Sequence, residues 1–191
     1  MQKTKGARQG FTLVELMTVV TIMAMLMTLV MGIQRYASDK SLRSRAEVEV
    51  RAMAAACENY KTDQAVYPNS DETKALSSLS ANPSDYLAAN LDLYRMISGD
   101  LDLNGKPDAA EGKAGAPPAY LEFKSSQLRM PGGMVTRIRD PWDSEAVAEP
   151  YGYSTRRASM PEDASGGYNT TFDLWSIAKK PAKPAAWITN W

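Results

Sequence analysis

The chain has 191 residues, with 22 basic and 22 acidic side chains, no histidine and a single cysteine. Balanced charge leaves no basic surplus for nucleic acid, so none is expected as a partner. The lack of histidine removes the commonest general base and a common metal ligand, and one cysteine excludes an intrachain disulfide.

Taken in chain order, residues 1–10 are polar and carry Lys3, Lys5 and Arg8. An apolar run follows from Phe11 to about Ile33, close to the roughly 20 residues that cross a bilayer as a helix. Cations just before the span predict a cytoplasmic N-terminus and an external C-terminal domain. Glu15 interrupts the run near its start. A carboxylate there costs a few kcal/mol on insertion, so it is a functional-site candidate. Cutting between Gly10 and Phe11 would create an α-amine four residues from Glu15, with an ordinary pKa of about 7.7–8.0 and hence mostly cationic. One helix holds its own two groups apart. The amine of one subunit can instead meet Glu15 of its neighbour and set the axial register between packed helices. A secretory signal would need a small-residue cleavage site, and residues 24–38 offer none.

Gly10-Phe11-Thr12-Leu13-Val14-Glu15-Leu16, with basic residues before and an apolar span after, resembles the class III signal of type IV pilins and type II secretion pseudopilins. The resemblance implies cleavage between Gly10 and Phe11 by a prepilin peptidase and N-methylation of Phe11. Without its leader, the chain has 19 basic and 22 acidic side chains.

Beyond the span, Ala46, Val50, Met53, Cys57 and Tyr60 repeat at spacings of four and three, one face of a helix. Arg43, Arg45, Glu47, Glu49, Arg51 and Glu58 are expected on its solvated side. Cys57 on the apolar face reads as a small buried core residue. No proline occurs from Phe11 to Tyr60, and a continuous helix there would be about 75 Å long. Gly32 is its weak point. The apolar stripe of residues 34–62 needs a partner surface, expected from the domain 63–191. Met17, Met23, Met25, Met27 and Met31 supply adaptable packing in the span.

Tyr67-Pro68-Asn69-Ser70-Asp71 ends the helix. Residues 73–79 and 84–97 look helical. Residues 99–119 are rich in Gly, Pro, Asp and Ala and predict an irregular excursion. Strand candidates are 120–123, 134–138, 151–154 and 171–177, separated by turn residues such as Pro131-Gly132-Gly133, which suits an antiparallel sheet. The tail from Lys179 has no assigned structure.

Three islands extend the resemblance. Glu58-Asn59-Tyr60 with Tyr67-Pro68, Asp140-Pro141-Trp142 with Tyr151-Gly152-Tyr153, and Phe172-Asp173-Leu174-Trp175-Ser176 with Trp187-Ile188-Thr189-Asn190-Trp191 are similar, in order, to the major G-type pseudopilins. The resemblance implies an α+β, pilin-like fold: a long N-terminal helix packed on a small antiparallel β-sheet. Asp143 stands where that family usually has glycine. The family often binds calcium through acidic side chains in the loop before its C-terminus; residues 177–191 here contain no Asp or Glu, so that site is not carried over.

A different calcium candidate lies in the excursion. Asp100-Leu101-Asp102-Leu103-Asn104-Gly105-Lys106-Pro107-Asp108-Ala109-Ala110-Glu111 fits the D-x-[DN]-x-[DN]-G-x5-E pattern. A hard cation takes six to eight oxygens, which alternate residues of a tight loop can supply. Asp100, Asp102 and Asn104 would give side-chain oxygens and Lys106 its carbonyl. Asp108 would bind directly or through water, and Glu111 would be bidentate. Gly105 would permit the turn. Pro107 and the lack of a following helix count against the site.

The expected function is a structural subunit of a pseudopilus, single-pass in the inner membrane with a periplasmic domain, assembled into a helical filament for type II protein secretion. Its expected partners are further copies of itself, other pseudopilins, the peptidase and an inner-membrane assembly platform. The alternatives are a type IV pilin or minor pilin-like subunit for adhesion or uptake, and, more weakly, a membrane-anchored enzyme. No catalytic residues are assigned, because nothing fixes paired carboxylates across a cleft.

Overall fold

The absence of proline and the run of helix-compatible apolar residues after Thr12 give one helix, α1, over Leu13–Gln64. The structure is a computed structural model that describes residues 11–162 and 166–191. The leader, with Lys3, Lys5, Arg8 and Gly10, lies outside the described residues. The chain divides into a unit ending at Ser41 and a second unit, Leu42–Trp191.

In the first unit every described side chain of residues 11–31 is exposed. One window of α1 is long and apolar enough to cross a membrane, with a mean hydropathy of 2.3. Its polar side chains turn inward on the backbone. Thr18, Thr21 and Thr28 donate their hydroxyls to the carbonyls of Glu15, Met17 and Met25 at 2.8–2.9 Å. Hydrocarbon offers no water to these groups, so internal pairing suits a spanning helix.

The second unit is built on the rest of α1. Ala46, Val50, Met53, Ala56 and Cys57 are buried along its inner face, while Tyr60 is half-buried and meets Tyr120 edge-on at 5.3 Å. Burial pushes the Cys57 thiol pKa up to about 12, which keeps the thiolate, its reactive form, scarce.

Glu49 corrects the expected solvated side. It is buried, accepting the Tyr151 hydroxyl at 2.6 Å, Arg45 Nε at 2.8 Å and Gln127 Nε2 at 3.1 Å. A buried carboxylate is tolerated only when it is paired and hydrogen-bonded, and these three donors supply that.

After α1 come α2 (Asp71–Ala75) and α3 (Leu87–Ser98). Strands β1 (Leu128–Arg129) and β2 (Arg137–Ile138) form an antiparallel pair. Strand β3 (Gly152–Ser154), the short helix α4 (Arg156–Ser159), and strands β4 (Asp173–Ser176) and β5 (Ile188–Thr189) follow. The second sheet has the order β3-β4-β5, antiparallel throughout, with Gly152 opposite Trp175 and Trp175 opposite Thr189. The expected α+β arrangement is therefore observed, with its strands divided over two small sheets.

Buried Asn90 on α3 joins them. Its Nδ2 donates to Tyr151 O at 2.8 Å and to Ile138 O at 3.4 Å, and its Oδ1 accepts Ile138 N–H at 2.7 Å. Gly152 is required by contact: a Cβ there would stand 2.1 Å from the Trp175 ring, so the indole lies flush against the β3 backbone.

Several expected elements differ. Residues 120–123 are not a strand. The Tyr120 and Leu121 N–H groups both donate to Ile97 O, at 2.8 and 2.9 Å, satisfying a carbonyl that the end of α3 leaves open. The strand expected over 134–138 shrinks to Arg137–Ile138, because Val135 N–H turns to Leu103 O at 2.7 Å. The helix expected over 73–79 is Asp71–Ala75, started by a capping box between Ser70 and Thr73. The tail supplies β5.

Candidate functional site

Two places carry the candidate residues. The first is the start of α1. Thr12 and Glu15 form a capping box: the Glu15 Oε2 accepts the Thr12 N–H at 2.8 Å and the Thr12 hydroxyl at 2.7 Å, and Glu15 N–H reaches Thr12 Oγ1 at 3.3 Å. The Thr-x-x-Glu spacing is the sequence signature of this device. Both bonds onto the carboxylate end on Oε2, and among the described residues none reaches Oε1. Phe11 precedes the helix and is 88% exposed. Gly10, its partner at the expected cleavage point, lies outside the described residues. Glu15, read from the sequence as a carboxylate near the start of the span, lies in the first turn of α1; its bond to Thr12 was missed.

The second place is the loop 100–111. Carboxylate oxygens of Asp100, Asp102 and Asp108 lie within 4.8 Å of one another. Asp100 is fully buried and fixed, accepting Asn104 N–H at 3.2 Å, Gly105 N–H at 2.7 Å and the Tyr94 hydroxyl at 2.5 Å. Gly105 has φ +88, a left-handed conformation that favours glycine. Asn104 Nδ2 donates to Glu111 Oε1 at 2.8 Å and to Asp102 at 3.2 Å. Lys106 N–H donates to Asn104 Oδ1 at 2.9 Å. The loop thus gathers Asp100, Asp102 and Asp108 and ties Asn104 to Glu111.

The sequence reading missed Lys113. Its ammonium sits 2.5 Å from Asp102, 2.8 Å from Asp108 and 2.8 Å from Glu111. These contacts hold the Asp102 and Glu111 carboxyls below their ordinary values, with Lys113 the largest cause for each, and raise the lysine itself, Asp102 being the first cause. A basic residue two positions past Glu111 was the available signal. The donor set is all hard oxygen and fits calcium, but the protein already places a cation among those oxygens.

Asp143 has its own account. Its carboxylate is fully buried and takes Arg137 Nε at 2.8 Å, Arg139 Nε at 3.2 Å and Glu149 N–H at 2.8 Å. The aspartate that departs from the family pattern is the centre of this turn.

The start of the chain is similar to that of proteins with a prepilin-type N-terminus. Residues 5–31 match the family described as prokaryotic N-terminal methylation motif. The chain is also similar to two proteins called type II secretion system core protein G. That of Klebsiella michiganensis is 33% identical over 80 residues, 42% of this chain and 55% of the relative. That of Pseudomonas aeruginosa is 35% identical over 65 residues, 34% of this chain and 46% of the relative. The chain thus spans about half the length of these curated relatives. No solved structure gives a significant match. The methylation motif bears out the prepilin-like start, and the two relatives bear out the resemblance to the pseudopilins and to the major G-type among them.

Proposed function

We propose that the chain is a structural subunit of a pseudopilus for type II protein secretion. A prepilin peptidase cuts between Gly10 and Phe11, Phe11 is N-methylated, and the mature chain assembles with further copies and other pseudopilins on an inner-membrane platform. Residues 11–33 anchor it as a single pass, and the domain faces the periplasm. Within the filament, Glu15 receives the Phe11 amine of an adjacent subunit, so two costly charges leave water together.

The observation that carries this reading is the apolar α1 start holding a carboxylate in its first turn, inside a matched methylation motif. Mass spectrometry of the native N-terminus tests it. The expected product begins at methylated Phe11; a chain that keeps residues 1–10 rejects the reading.

A structural calcium ion in the loop 100–111 belongs to the same proposal. It would bind Asp100, Asp102, Asn104, Lys106 O, Asp108 and Glu111, and must displace Lys113. Calorimetry on the full chain in detergent is expected to show weak calcium heat, none with Asp102→Ala and tighter binding with Lys113→Ala. Equal heats in all three remove the ion.

A further inference from the structure

The turn between β2 and β3 buries two acids, Asp140 and Glu149. Arg139 bridges Pro150 in antiparallel register, and the Asp140 N–H donates to Glu149 O at 3.1 Å. Asp140 and Glu149 therefore stand directly opposite across a short ladder. Opposite residues send their side chains to one face with Cβ atoms about 4.5–5.5 Å apart, and like charges there are unfavourable. Both residues are buried, at 3% and 6% exposure. Asp140 Oδ1 accepts Trp142 N–H at 3.0 Å. Asp140 Oδ2 and Glu149 Oε2 are buried with no hydrogen-bond partner among the described residues. Two acids at opposite ladder positions thus each keep a buried oxygen open.

We propose that Asp140 and Glu149 hold a single proton between them, and that this proton fastens the β2–β3 turn to the rest of the unit. The pair is a pH-sensitive clasp. Glu149 lies two residues before Tyr151, whose hydroxyl ties β3 to Glu49 on α1, so loosening the clasp loosens the domain's hold on its helix segment.

The surrounding charges come from every packed element. Glu49 and Arg45 face the site from α1, and Tyr151 from the opposing strand. Asp143 of the same turn is committed to Arg137 and Arg139, and Lys179 approaches Glu149 from beyond β4. The Asp140 carboxyl is raised to about 7, burial being the largest cause; the Ser176 hydroxyl and Trp142 N–H oppose the rise, and Glu149 and Glu49 add to it. Burial also raises Glu149. A folded pKa above the unfolded value means that the native state binds more protons between the two. The contribution is complete below the ordinary aspartate value of about 3.9 and is lost as pH rises through about 7.

The test is thermal unfolding of the full chain in detergent between about pH 5.5 and about pH 8.5, with infrared detection of protonated carboxyl. The wild-type midpoint is expected to fall by several degrees across this range. Asp140→Asn should abolish that fall, because its amide donates to Glu149 at every pH. Glu149→Gln should move the fall to lower pH. Should Asp140→Asn not fold, the wild-type infrared band decides alone: it is expected near pH 6 and should vanish above pH 8. A wild-type midpoint curve parallel to that of Asp140→Asn, or no protonated-acid band near pH 6, overturns the clasp.

Discussion

Glu15→Ala is expected to leave leader cleavage intact and to reduce sheared filaments by roughly a hundredfold. The cause is the amine left behind. With the carboxylate gone, each adjoining Phe11 amine enters the helix core unpaired, and stranding one member of a buried ion pair costs about 3 kcal/mol or more. That is about a hundredfold per contact. Gel mobility reads cleavage and electron microscopy of sheared fractions reads assembly. The capping box raises a competing explanation, that Glu15 serves only its own helix. Thr12→Ala separates the two. It removes the cap at a cost of about 1 kcal/mol while sparing the carboxylate. Filaments are expected to persist in Thr12→Ala. Loss of filaments in both variants to the same degree would assign Glu15 to capping alone.

Asp143→Ala is expected to destabilise the folded domain by roughly 3–4 kcal/mol, lowering the thermal midpoint by about 10 °C. One side chain answers three donors here: Arg137, Arg139 and the Glu149 N–H. The arginine side chains are 13% and 32% exposed, so water recovers part of their solvation and the loss stays at the lower end for a buried pair. Asp143→Asn should cost less, because its carbonyl can still accept one of these donors. Calorimetric unfolding of the detergent-solubilised chain measures both. A midpoint within 2 °C of wild type for Asp143→Ala, less than about 1 kcal/mol in a chain this size, would show that the arginines find other acceptors.

Legibility in the sequence followed the range of the interaction. The prepilin start was readable because it is contiguous: a glycine, an aromatic and a carboxylate at fixed spacing before an apolar run. The inner face of α1 was readable because Ala46, Val50, Met53 and Cys57 share a helical period. Glu49 was misread because its burial depends on Tyr151 and Gln127, 102 and 78 residues away. Strands of two to four residues are too short to establish an alternation; β5 exists only because β4 lies beside it. The acids of the loop 100–111 were visible as a pattern, yet Lys113, outside the pattern, supplies the cation they contact. Asp143 was noticed only as a departure, and its reason is the pair of arginines that the fold brings to it.

Cys57 has a consequence for the proposed exposure of the domain to an oxidising compartment. A solitary sulfur on the surface would let two neighbouring copies become covalently trapped before they reached their proper places. This one is shut inside the inner face of α1 at 0% exposure and keeps its hydrogen to about pH 12. In the proposed filament, subunits would therefore meet and part without a disulfide through this sulfur, so that mistakes in stacking would stay correctable.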